Sequence, residues 1–112
     1  MTELAPEDAK LVVLASSARA RTGALEAAAV RDGVGRTYVA STVELPSLHL
    51  SAVQAAVTAA VSSGSDALDA VAVVGPREAL SDEDRAVLAD LSVSTVLLAG
   101  PDGALRDAGD TS

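Results

Sequence analysis

From Leu45 to Ser65 the chain carries no Asp, Glu, Lys or Arg. An uncharged run of that length has two ordinary explanations, a membrane span or an element enclosed by protein. Pro46, Ser47, His49, Ser51, Gln54, Thr58, Ser62 and Ser63 interrupt it and argue against a span. Ser47 reads as the N-cap of a helix reaching about Ser62, with Gly64 as its stop. Leu50, Val53, Val57, Ala60 and Val61 fall on one side of that helix, and Ala52, Ala55, Ala56 and Ala59 keep the others apolar. A helix that is apolar all round is buried nearly all round. The rest of the chain is therefore expected to wrap this element.

The flanking segments supply the wrapping. Pro6 suits a first helical position, Glu7 and Asp8 fall in the positive first turn, and Leu11, Leu14, Ala15 and Ala18 continue a helical stripe up to Gly23. Ala27–Arg31 and Thr37–Thr42 read as a hairpin around Asp32-Gly33-Val34-Gly35. That loop lacks the lysine and the following helix of a phosphate-binding loop. Ala70–Val74 and Thr95–Ala99 are apolar runs of the kind found in interior strands. Between them a helix starts at Ser81, where Ser81 and Asp84 form a variant of the capping box. Strand, helix and strand in that order make a right-handed parallel crossover. The expected fold is α/β, a three-layer α/β/α sandwich with a mixed sheet. It is expected to form one domain over residues 1–106, followed by a polar tail at 107–112.

Composition narrows the function. The chain has no Phe or Trp and only Tyr38 as an aromatic, so its core is expected to be Ala, Val and Leu, and base stacking is poorly served. With 16 acidic and 8 basic residues the formal charge is −8, which disfavours nucleic acid as a partner. Cysteine is absent, which removes disulfides, thiolate chemistry and cysteine-based zinc sites. Met1-Thr2-Glu3-Leu4 does not look like a signal sequence, so no membrane association and a cytoplasmic location are expected. The Ala- and Arg-rich, Lys-poor composition is typical of bacteria with high-GC genomes.

Several strings, in order, resemble the small homo-oligomeric cytidine deaminases. Ala27-Ala28-Ala29-Val30 stands where the family has Gly-Ala-Ala-Val, and Thr42-Val43-Glu44 where it has Asn-Val-Glu. Ser47 to Gln54 is similar to Gly-Leu-Thr-Ile-Cys-Ala-Glu-Arg, and Ala59 to Gly64 to Lys-Ala-Val-Ser-x-Gly. Asp84 to Asp90, Thr95 to Ala99 and Asp102-Gly103 extend the likeness, which runs from about Leu11 to Leu105. It implies a cytidine-deaminase-like sandwich.

Enzymes of this kind use zinc, a metal-bound water and a glutamate that shuttles protons. Carried across residue by residue, the resemblance puts the first ligand cysteine at Ser51 and the glutamate at Val53. The Pro-Cys-x-x-Cys-Arg motif becomes Leu80-Ser81-Asp82-Glu83-Asp84-Arg85. The ribose-binding Asn falls at Thr42, its Glu is kept as Glu44, and the pocket aromatic falls near Ala24. The resemblance thus implies a degenerate member without catalytic residues or bound zinc. Self-association as a homodimer or homotetramer, or binding of a protein partner, is the leading expectation. A non-catalytic pyrimidine nucleoside binder and a residual or atypical deaminase are the alternatives. His49 is expected on the first helical turn as a partly exposed or interface residue, and Ser51 in a local hydrogen bond. Glu44 is expected at a strand end, solvated or bonded to backbone, with ligand binding by Glu44 and Thr42 as the alternative.

Overall fold

The computed structural model describes residues 4–109. Met1–Glu3, read above for a signal sequence, and residues 110–112, the end of the expected tail, lie outside the described residues. Helix α1 (Pro6–Thr22) is followed by β1 (Ala27–Asp32) and β2 (Thr37–Ser41). A short hairpin, β3 (Val43–Leu45) and β4 (Leu48–Leu50), leads into α2 (Ala52–Ser62). Then come β5 (Leu68–Val74), α3 (Asp82–Asp90), β6 (Thr95–Ala99) and β7 (Leu105–Gly109).

The main sheet has five strands in the order β2-β1-β5-β6-β7. Only β5 and β6 are parallel, joined by the crossover through α3; the other neighbours are antiparallel. The sheet is mixed and has helices on both faces, as expected. Strand alternation divides the core in two. Ala28, Val30, Val71, Val73 and Leu98 face α2 and α3, whereas Ala29, Ala70, Ala72, Val74, Leu97 and Ala99 face Leu11, Val12 and Ala15 of α1. Ala52, Ala56 and Ala60, four residues apart on α2, have no exposed surface. Their small side chains let the helix lie close on the sheet.

Two expectations about element boundaries change. The helix does not begin at Ser47. Pro46-Ser47 is the turn of the β3–β4 hairpin, with Leu45 paired to Leu48 and Glu44 to His49. Leu50 and His49 are therefore strand residues, not helix residues. The N-cap is Ser51, whose side chain accepts from the Gln54 amide while Gln54 Oε1 accepts from the Ser51 amide. This reciprocal pair satisfies two donors at the helix start. Val61, expected on the buried side of α2, is 47% exposed. At the other end of the chain, β7 takes up Asp107–Gly109, the start of the expected tail, because β6 offers it an open edge to pair with.

Candidate functional site

Residues from several elements and the loops between them meet at one end of the sheet. The carboxyl ends of parallel β5 and β6 point there, the usual position of ligand sites in α/β sheets. The antiparallel strand β1 starts at that end, just after Glu26. The N-caps of α2 and α3, Ser51 and Ser81, belong to the same region through their bonds to Asp84.

Asp84 is central and 1% exposed. Its amide donates to Ser81 Oγ at 3.1 Å, which is the α3 cap. Its carboxylate plays no part in capping, contrary to the sequence reading of a mutual Ser81–Asp84 pair. Oδ1 accepts a 2.6 Å hydrogen bond from Ser51 Oγ, and Oδ2 accepts one of 2.9 Å from Arg77 Nη2. Both oxygens are directed away from the helix end because stronger donors lie across the site.

Arg77, in the loop after β5, forks onto Glu26, with Nε–Oε2 at 2.8 Å and Nη2–Oε1 at 2.7 Å. A bidentate arginine–carboxylate pair is among the strongest polar contacts available. The bond to Glu26 raises the Arg77 pKa, burial works against it, and the bond to Asp84 adds to the rise. The guanidinium therefore stays charged. Close approach of Glu26 depends on Gly75, where a Cβ would stand 3.1 Å from Glu26 Cγ. Thr42 closes the other side, its amide and hydroxyl both donating to the Glu26 carbonyl at 3.1 and 3.2 Å.

A cleft of about 330 Å³ opens beside this centre, within the range of small-molecule pockets but at its low end. Glu26, Thr42, Glu44, His49, Ser51 and Arg77 contribute to its lining. Thr42, Glu44 and Ser51, all chosen from the sequence, are thus brought together. The Glu44 and His49 side chains are exposed and 3.3 Å apart. Val53 is elsewhere: it has no exposed surface and belongs to the core between α2 and the sheet. Asp84 meets the site from behind through its bonds to Ser51 and Arg77, and Ser81 is joined to it only by accepting from the Asp84 amide.

The sequence reading missed Glu26, Arg77 and Gln54. The signals were faint but present. Glu26 is a lone charge directly before an apolar strand, and Arg77 follows Gly75-Pro76 just past the end of another. Gln54 completes the Ser-x-x-Gln capping pattern with Ser51.

A family model described as cytidine deaminase-like matches residues 4–103. The chain belongs to the cytidine deaminase-like family. Solved structures agree on the fold of this family member. The cytidine deaminase of Burkholderia pseudomallei matches it with a TM-score of 0.79 over 91% of both chains, at 23% identity. That of Mycobacterium leprae gives 0.69 over 91% of both chains at 22% identity. The cytidine deaminase of Mycobacterium tuberculosis gives 0.66 over 87% of this chain and 86% of its own, at 29% identity. No curated protein matches this cytidine deaminase-like chain at the same stringency.

Proposed function

We propose that this protein is a cytidine deaminase-like member without deaminase activity, which acts through self-association or a protein partner. The observation that carries the proposal is the direct 2.6 Å bond from Ser51 Oγ to Asp84 Oδ1. Tetrahedral zinc ligands at about 2.1 Å from the metal stand about 3.4 Å from one another. Ser51 and Asp84 stand closer than that, joined by a hydrogen bond that the Ser51 hydroxyl donates. Ser81 Oγ accepts from a backbone amide, and the other Asp84 oxygen is held by a guanidinium. Two alcohols and one arginine-bound carboxylate do not fit zinc. Among the described residues no group of three or more His, Cys, Asp or Glu is arranged to hold a metal.

The proton-shuttle position argues the same way. Val53 has no ionisable group and lies in the apolar core. Surface features support association: Leu25, Leu45, Leu48 and Val61 are 46–66% exposed. A homodimer or homotetramer in the cytoplasm is the form expected, and no described helix is long and apolar enough to cross a membrane.

Metal analysis of the purified protein together with a cytidine absorbance assay tests the proposal. The expected result is no stoichiometric zinc and no turnover; stoichiometric zinc with turnover sinks it. Light scattering at micromolar concentration tests association, and a monomer would count against the self-association arm. A second reading is favoured by the cleft, where Thr42 and Glu44 stand together beside Arg77. It makes the protein a pyrimidine nucleoside binder without chemistry. Thermal shift with cytidine, uridine and deoxycytidine separates the two readings, and no shift at millimolar ligand removes the second.

A further inference from the structure

Two carboxylates are buried at the centre of the site, Glu26 at 5% and Asp84 at 1% exposure. They come from the residue just before β1 and the first turn of α3, separated by more than half the chain. Buried charges without a counter-charge are strongly destabilising. Among the described residues, Arg77 is the one cation paired with either of them.

The position of Arg77 is itself secured. Arg106, at the start of β7, donates from Nη1 to the carbonyls of Pro76 and Arg77 at 2.8 and 3.1 Å. Its guanidinium lies over Gly100, where a Cβ would approach to 2.9 Å. Any side chain at Gly100 would displace Arg106 and loosen the loop that carries Arg77. One guanidinium thus fastens β1 to α3, and through Asp84 to the α2 cap, while a second fastens its loop to β7.

We propose that Glu26 and Asp84 form a cation-binding site for a planar guanidinium group, which Arg77 fills as a tethered ligand from its own chain. The inference rests on the reading that no metal serves this centre. It goes further by naming what the site recognises. The fork on Glu26 and the shared Nη2 match a planar cation with several N–H donors. A lysine ammonium, with its donors on one point charge, cannot reproduce that geometry.

Chemical rescue tests this. Arg77→Ala is expected to lower Tm by about 10 °C or more, as expected when one partner of a buried pair is removed. Methylguanidinium at 10 mM is expected to raise the Tm of that variant by several degrees while leaving the wild type unchanged or slightly lower. Adding Asp84→Asn should abolish the rescue. A variant melting within 2 °C of the wild type overturns the proposal. So does a loss of stability that methylguanidinium does not restore, or one it restores equally in the double variant. Should Arg77→Ala fail to fold, Arg77→Lys and Arg77→Met decide. Lys, with the charge but not the fork, should be the more stable of the two yet remain below the wild type; equal stability overturns the proposal. Zinc and turnover in the wild type would refute the non-catalytic reading, whereas these variants bear on the guanidinium site alone.

Discussion

Val53 and Asp32 are buried residues of opposite chemistry. Val53 belongs to the apolar cluster that includes Ala28, Val71 and Leu88. Placing a glutamate there would bury a carboxylate with no partner, at a cost of about 3 kcal/mol or more. Val53→Glu is therefore expected to lower the melting temperature sharply, as read by circular dichroism, and to yield no cytidine turnover. Asp32, 2% exposed, is fully bonded instead. Burial acts to raise its pKa, but hydrogen bonds from Ser65 Oγ, the Arg36 amide and guanidinium, and the Val34 amide bring it down to about 2, from 3.8. A depressed carboxylate pKa stabilises the fold above the unfolded value, and that contribution is lost as pH falls through 3.8 towards 2. Asp32→Asn should be less stable than the wild type at pH 7, with the gap closing as denaturation curves are taken down to pH 2. A constant gap would rule out ionisation as its source. At this scale the sequence was half legible. The family resemblance drew attention to Ser51, Val53, Ser81 and Asp84, but nothing in it or in the local sequence indicated where the Asp84 carboxylate would go. Its partners, Ser51 and Arg77, stand 33 and 7 residues away, and no local pattern encodes such a bond.

Among the elements, the β3–β4 hairpin and the start of α2 were the hardest to read. The uncharged run that starts at Leu45 covers the hairpin turn, β4 and α2, so a single helix from Ser47 accounted for most of it. The alternation of Leu48, His49 and Leu50 and the capping pair Ser51–Gln54 were the clues to a break before Ala52. A pair of substitutions separates the two cap assignments. Ser51→Ala removes a cap and the hydroxyl bonded to buried Asp84, and should cost about 1–3 kcal/mol by chemical denaturation. Ser47→Ala, in an exposed turn, should stay within about 0.5 kcal/mol of the wild type. Equal effects would mean that the hairpin turn carries the stability assigned here to the helix cap. The last strand was illegible for a different reason. Leu105–Gly109 is short and polar, and only the open edge of β6 makes it a strand.

For the molecule as a whole, layers and strand types were readable because they follow from local periodicity and the handedness of crossovers. Placement of β1 beside β5 was not, since it depends on which distant strands meet. That same distance governs the polar centre. Its bonds join Glu26 to Arg77 and Ser51 to Asp84, 51 and 33 residues apart. The β1–β5 pairing closes loops of similar length, so these bonds are expected to form only once that pairing has brought their ends together. Contacts formed after the rate-limiting step govern how fast a protein comes apart, not how fast it forms. Replacement of Arg77 should therefore raise the unfolding limb of a chevron plot and leave the refolding limb nearly in place; a refolding limb slowed in proportion would contradict this. The arginine at the centre of the site would then set the lifetime of each folded molecule, and with it exposure to proteolysis whenever cleavage outruns reclosing.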